Sequence, residues 1–442
     1  MSPDATLKEL IITRKARVGI VGLGYVGLPM VVACAKEGFP VVGVDVDASK
    51  VAQLSEGRSY IPEVRDSVLR VLVARHGATP PKVIVTTDYA ALGNVDIIQI
   101  CVQTPWTRHK EPDTSHIATA ARGIAAHGRP GQLVILRSTS YPGTTRELVL
   151  PILESHGRRV GEDTFLAFAP ERIDPGRTEP PPSSIPVVVG GTDRLSADLA
   201  EALFSQLAGR VVRVSSADAA EMTKLLENIF RNVNIALVNQ LAMLCDRMGL
   251  DVWEIVEAAA TKPYGFMKFL PGPGVGGHCI PIDPYYLAWK AREYDFHMDF
   301  IELAARVNDE MPYFVVNKIL AALETDPDRR GSPRVFVLGV TFKRDVPDAR
   351  SSPAAKILDL LRRRGVEVGY HDPYVPTFTV NDHILESQPL SSDVLARYDV
   401  VVIVTDHSAV NYQWLVDHAR RVVDTRNATA GITQGRERIM KL

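Results

Sequence analysis

The chain has 442 residues, of which 46% are hydrophobic, 23% charged and 7% aromatic, and fifty basic against fifty-two acidic side chains give a formal net charge of −2. That composition excludes a disordered, collagenous or disulfide-stapled chain, and the length calls for two or three domains. There is no global basic field to hold nucleic acid or an anionic membrane, no apolar run near the ~20 residues of a membrane span, and four cysteines are too few for a secreted scaffold.

At the N-terminus Asp4 and Glu9 interrupt what would be a signal region, so a cytoplasmic location is expected, with no nucleic-acid or membrane partner. From Ala16 to about Pro170, short β-branched runs at 18–21, 41–45, 83–86, 96–102, 133–137 and 165–168 alternate with helix-compatible stretches. Strands apolar on both faces and joined by helices predict a parallel, doubly wound sheet. Pro180, Pro181 and Pro182 cannot be helix interior and read as a loop before another strand at 187–190. Ser216 caps a helical run to Met248 that Gly249 closes, and Asp251 with Glu254 opens the next helix. Residues 261–281 are rich in proline and glycine and break the pattern, and helix resumes to about Ala321.

The last third returns to α/β, with strands at 335–339, 366–370, 400–404 and 422–424 and a helix at 352–364. Its strand–helix–strand order ends on Asp372, as the first such unit ends on Asp45. The expected fold class is therefore α/β, with two Rossmann-like doubly wound domains at 1–212 and 326–442. A central all-α region at 213–325 joins them, and its long helix links domains or subunits.

Four segments carry chemistry. Gly22-Leu-Gly24-Tyr25-Val26-Gly27 follows the first strand and opens a helix. The first glycine suits a tight turn, the second lets backbone approach a pyrophosphate, and the third lets helix pack on strand. Asp45, about 20 residues on, can accept the adenosine ribose hydroxyls and repel a 2′-phosphate, which favours NAD over NADP. A tight βα turn without ligand is the competing reading. Cys34, Cys101 and Cys245 fall in helical or strand patterns and read as core. Cys279 stands at the end of Gly272-Pro-Gly-Val-Gly276-Gly277-His278-Cys279, before a helix start at Asp283. That setting suits an accessible, acidic thiol, and a structural cysteine in a tight loop fits the spacing equally.

Lys224 and Asn228 share a helical face, which allows a fixed charge near an oxyanion or a snorkelling lysine. Glu171 follows a strand end at the sheet edge where ligands bind, as a general base or a solvated loop residue. Ser138 and Thr139 end the preceding strand in the same crevice. His278 and Cys279 form one adjacent pair with no second ligand pair, so no metal is expected.

With these residues in view, the sequence resembles the UDP-glucose/GDP-mannose dehydrogenase family from Val18 to about Arg426. The stretch from Gly276 to Asp283 resembles the family's catalytic cysteine loop, and Met222-Thr-Lys224-Leu-Leu-Glu-Asn228 its Lys/Asn helix. Ser138-Thr139 and Pro170-Glu171 resemble its water-holding threonine and catalytic glutamate. Gly339-Val-Thr-Phe342-Lys343 with Asp348-Ala-Arg350 resembles its C-terminal signature. The resemblance implies NAD as cofactor, held by Gly22, Gly24, Tyr25, Val26, Gly27, Asp45, Thr104, Ser138 and Arg350. It implies catalysis by Cys279, Lys224, Asn228, Glu171, Asp283 and Thr139. It implies a UDP-sugar substrate held by Arg172, Tyr264, Phe266, Gly276, Phe342, Lys343 and Arg426, and a homodimer or higher homo-oligomer through the central helix. The implied reaction is a two-step, four-electron oxidation of a C6 alcohol through a cysteine thiohemiacetal and thioester.

Two departures narrow the substrate. Pro175 stands where UDP-glucose members carry a second acid, and Lys262-Pro-Tyr264-Gly-Phe266 offers no arginine. The combination of Pro170-Glu171-Arg172-Ile-Asp174-Pro175-Gly176, Thr261-Lys262-Pro-Tyr264-Gly-Phe266 and Cys279-Ile-Pro-Ile-Asp283-Pro-Tyr-Tyr286 is similar to the UDP-N-acetylglucosamine 6-dehydrogenase branch, with UDP-N-acetylmannosamine and UDP-glucose as alternatives. A single-oxidation β-hydroxyacid-type dehydrogenase needs neither the cysteine nor a third domain. A non-catalytic nucleotide-sugar-binding protein would be expected to lack Cys279, Lys224 or Glu171.

Overall fold

The computed structural model describes residues 2–74, 81–107, 111–172, 184–277, 280–325 and 331–442. It divides into two compact bodies, one of residues 1–227 with 285–296 and one of 228–284 with 297–442.

The first body is built on one sheet. Its strands are β1 (Val18–Val21), β2 (Val41–Val44), β3 (Val83–Thr86), β4 (Ile97–Ile100), β5 (Gln132–Leu136), β6 (Thr164–Phe168), β7 (Val187–Gly191) and β8 (Val211–Arg213). They stand in the order β3-β2-β1-β4-β5-β6-β7-β8. The first six are parallel, and their order is that of a dinucleotide-binding sheet whose winding reverses between β1 and β4. β7 joins β6 antiparallel. β1, β4, β5 and β6 are buried along their whole length, which is why their runs show no alternation of apolar and polar residues. Three strands end earlier than the sequence predicts: Asp45, Val102 and Arg137 lie beyond the last paired residues of β2, β4 and β5. Cys34 and Cys101 are buried core residues, and burial pushes both thiols up to about 12.

The second body carries five parallel strands. β9 (Arg334–Leu338) and β10 (Glu367–His371) come first, then an antiparallel hairpin of β11 (Thr377–Val380) and β12 (His383–Glu386) outside the main sheet. β13 (Val400–Ile403), β14 (Val422–Asp424) and β15 (Ile439–Lys441) complete the order β10-β9-β13-β14-β15. Here the winding reverses between β9 and β13. The Pro353–Arg363 helix, capped by the Ser352 side chain accepting from the Ala354 amide, buries Ile357, Leu358 and Leu361 with Val335 and Val337 of β9. The hairpin and the three-residue strands β8 and β15 have no counterpart in the expected pattern.

The Ala217–Met248 helix runs through the boundary between the bodies. The Ser216 hydroxyl accepts from the Ala219 amide at its start, and Gly249 takes φ +68° just past its end. In the second body its Ala242 and Cys245 pack with Trp253 and Val256 of the Val252–Ala260 helix and with Met311 and Val315 of the Asp299–Glu324 helix. Phe230, Leu237, Leu241, Leu244 and Met248 remain exposed.

Candidate active site

The glycine-rich turn leaves β1 at Gly22, whose φ of +89° is open to glycine. A Cβ there would stand 2.7 Å from the Cys101 carbonyl oxygen, and a Cβ on Gly27 would stand 1.8 Å from that of Gly22. Those two glycines are needed by the fold itself. Gly24 is different: a Cβ on it would meet nothing within 4 Å. The protein leaves that space open, which is what a pyrophosphate lying against the turn requires. Tyr25 is exposed, Val26 half-buried, and the Gly27–Lys36 helix begins at the third glycine.

Asp45 follows β2 and is 8% exposed. Its Oδ2 accepts from the Leu23 amide at 2.8 Å and its Oδ1 from the Asp47 amide at 3.0 Å. Each carboxylate oxygen has two acceptor positions, so two backbone bonds leave capacity for a ribose diol. The tyrosine hydroxyl of Tyr60 donates to the Leu23 carbonyl and braces the same turn. These residues fit the adenosine half of NAD.

At the neighbouring strand ends, Ser138 Oγ donates to the Val102 carbonyl at 2.7 Å, and Thr104 Oγ1 donates to the Thr139 carbonyl at 2.7 Å. The two hydroxyls tie the end of β4 to the end of β5. Glu171, just past β6, is held at one carboxylate oxygen by Arg137, with Nη2 2.6 Å from Oε2, and at the other by the Arg172 amide at 2.8 Å. The Arg172 guanidinium pairs with Glu227 at 2.7 Å and donates to the Pro186 carbonyl at 2.6 Å, which clips the loop to the long helix.

Glu221, one turn before Lys224, is 1% exposed. It accepts from the amides of Gly143 and Thr145 at 2.6 and 2.9 Å and from the Thr145 hydroxyl at 2.6 Å. It thereby anchors the loop that leaves Thr139, and burial raises its carboxyl to about 7. Lys224 itself is buried. Neither Arg137 nor Glu221 is singled out by the sequence. The signal for Arg137 was a charged residue directly after an all-apolar run.

In the second body Asn228 and Asp283 are both buried, and the Asn228 amide donates to the Asp283 carboxylate. One turn on, Asn232 Nδ2 donates to the Ile280 carbonyl at 3.1 Å. Asn239 accepts from the Gly272 amide and donates to Asn308, each at 2.9 Å, and Asn308 donates to the Asn232 carbonyl at 3.3 Å. A buried ladder of amides on two helices thus braces both ends of the 272–283 segment. Cys279 and His278 lie outside the described residues.

Gly277 takes φ +85°, its amide donates to the Arg350 carbonyl at 3.3 Å, and a Cβ on it would press on the Phe342 ring at 3.0 Å. A Cβ on Gly276 would lie 2.7 Å from Cβ of Phe342, and one on Gly272 would lie 2.6 Å from a guanidinium nitrogen of Arg426. Phe342, Gly276 and Arg426 are thus assembled around one segment, with half-buried Lys343 next in the chain. The Arg350 guanidinium is paired with Asp348 at 2.6 Å, and Arg426 with Asp406 at 3.3 Å. Tyr264 and Phe266 stand exposed, the former beside Lys262.

Sequence profiles of the UDP-glucose/GDP-mannose dehydrogenase family match in three consecutive parts: the NAD binding domain at 16–208, the central domain at 218–310 and the UDP binding domain at 336–431. UDP-N-acetyl-D-mannosamine dehydrogenase of Pyrococcus horikoshii is 35% identical over 93% of this chain and 95% of its own length. UDP-N-acetyl-D-glucosamine 6-dehydrogenase of Pseudomonas aeruginosa is 35% identical over 89% of this chain and 90% of its own. The solved structure of the UDP-D-ManNAc dehydrogenase from P. horikoshii superimposes with a TM-score of 0.83, covering 95% of this chain and 96% of that one at 34% identity.

Proposed function

Since the chain belongs to the UDP-glucose/GDP-mannose dehydrogenase family, whose relatives are NAD-dependent UDP-sugar dehydrogenases, we propose that it oxidises the C6 alcohol of a UDP-N-acetylhexosamine to the uronic acid. UDP-N-acetylglucosamine is the first choice of substrate. The observation that carries the reading is the buried Asn228–Asp283 hydrogen bond. It joins Asn228 of the long helix to Asp283, four positions beyond Cys279 in the chain, which supports the reading of Asn228 and the cysteine loop as parts of one site.

NAD⁺, when bound against Gly22, Gly24 and Asp45, supplies the hydride acceptor for both oxidations. Lys224 and Asn228 meet the negative charge that develops on the C6 oxygen. The Cys279 thiolate adds to the C6 aldehyde, and the oxidised adduct is a thioester. Glu171 takes a proton from the water that opens that thioester, with Thr139 placing the water. Asp283 holds the Asn228 amide in register.

The missing arginine before the cysteine loop and the open space beside Gly265 support an acetamido group at C2. The relative from P. horikoshii favours the C2 epimer, UDP-N-acetylmannosamine, as the second reading. The matched family segments support three working domains at 1–212, 213–325 and 326–442. The exposed stripe from Phe230 to Met248 supports a homodimer through the long helix. No described helix is long and apolar enough to cross a membrane, and a reducing cytoplasm suits the buried free thiols.

The test is turnover of UDP-N-acetylglucosamine, UDP-N-acetylmannosamine and UDP-glucose at saturating NAD⁺, counting NADH per uronic acid. Two NADH per acid are expected, with kcat/KM for UDP-N-acetylglucosamine about tenfold above UDP-glucose, and no acid from Cys279→Ala. One NADH per product would overturn the two-step mechanism. A preference for UDP-glucose would overturn the acetamido pocket.

A further inference from the structure

Arg137 and Glu171 leave the same sheet edge, because β5 and β6 are parallel with Leu136 opposite Phe168. Arg137 is 2% exposed, and its guanidinium lies 5.1 Å from the Phe204 ring centre. Nη2 reaches Glu171, but Nε and Nη1 are buried with no hydrogen-bond partner among the described residues. As a packing residue this is a poor choice, since each bare donor costs free energy that a methionine of similar length would not. A guanidinium cannot shed its proton. Its buried charge must therefore be answered, and the carboxylate that answers it is Glu171.

We propose that Arg137 is a positioning residue for Glu171, a fixed cation that keeps the carboxylate ionised and holds its plane at the sheet edge. The inference rests on the reading of Glu171 as the base of thioester hydrolysis. A fixed cation at this distance favours the charged carboxylate, so hydrolysis persists into mildly acidic solution. Two other described groups near Glu171 do not supply that effect. The Arg172 guanidinium is taken by Glu227, and burial holds the Cys101 thiol neutral at about 12.

The experiment follows the Cys279 adduct by intact mass in enzyme quenched during turnover of UDP-N-acetylglucosamine or UDP-N-acetylmannosamine. The NADH burst reports the first oxidation in the same samples, and the series is repeated across pH. Arg137→Met should move the acid limb of hydrolysis to higher pH by about one pH unit, roughly tenfold in rate on that limb, with the burst limb unmoved. Arg137→Lys, which keeps the charge, should restore the limb. Should the methionine variant fail to fold, Arg137→Gln carries the same expectation. An acid limb that coincides with the wild type overturns the proposal. So does an effect of Arg137→Gln that persists undiminished in a Glu171→Gln background. If Glu171→Gln alone leaves hydrolysis at its full rate, the reading of Glu171 as base falls instead.

Discussion

The two sheets set the same corner in the same way and then diverge. In each, the first strand is followed by a glycine of positive φ, +89° at Gly22 and +81° at Gly339. In each, a Cβ there would strike a carbonyl across the switch point, 2.7 Å from Cys101 and 2.5 Å from Thr405. An acid at the next strand's end takes the following amide, Leu23 to Asp45 at 2.8 Å and Val340 to Asp372 at 2.7 Å. After that, Asp45 accepts one further backbone bond, whereas Asp372 also accepts from Thr341, Tyr374 and His407 Nε2. The Asp345 amide donates to His407 Nδ1, which puts the ring proton on Nε2. Thr341 stands where Gly24 stands in the other turn. The acid is thus first a loop-setter; it is open to a ribose only where no histidine closes it.

The largest test of this contrast is Asp372→Ala. It strips the acceptor from three amides and a fully buried histidine, and should cost about 3 kcal/mol, read as a lower urea midpoint. NADH affinity by fluorescence titration should stay within about twofold. A loss below about 1 kcal/mol would break the account of Asp372 as internally committed.

A second test uses pH, because two buried carboxylates shift in opposite directions. For Asp372, burial pushes the carboxyl up, but His407 and the amides of Tyr374 and Val340 outweigh it and hold it below the usual range. Its stabilising effect is present above that range and lost as pH falls. Glu221 is raised by burial from 4.5 to about 7. Through that interval the folded state keeps a proton the unfolded state has lost, so stability falls as pH rises, by up to about 3 kcal/mol. Glu221→Gln should flatten this decline in Tm between about pH 5 and pH 7. An unchanged slope would assign the decline to other groups.

The smallest effect is expected at Asp45. Asp45→Ala should weaken NADH binding about tenfold, or 1.4 kcal/mol, and narrow the preference over NADPH. Equal wild-type affinity for the two cofactors would remove Asp45 from the ribose.

What was legible follows from range along the chain. The Gly22–Asp45 unit, the Ser216 and Asp251 caps and the Gly249 stop are local signals, and the structure places each of them as the sequence predicts. β8, β15 and the β11–β12 hairpin are too short, or too mixed in polarity, to register as periodic runs. Glu221 looks like any acid on a helix face until the loop at Gly143 covers it. Arg172 was expected at the substrate, and its partner Glu227 lies 55 positions away along the chain, beyond any spacing rule. The pairing of Arg137 with Glu171 spans 34 positions and depends on two strands lying side by side.

The amide ladder has a consequence for the order of events in folding. Asn239 meets Asn308 across 69 positions, Asn308 meets Asn232 across 76, and Asn232 meets Ile280 across 48. The two bonds of Asn308 cannot form while the Ala217–Met248 and Asp299–Glu324 helices are apart, and closing such long loops is slow. The side chains that hold Gly272 and Ile280, Asn239 and Asn232, are therefore locked in place late, once Asn308 has met them.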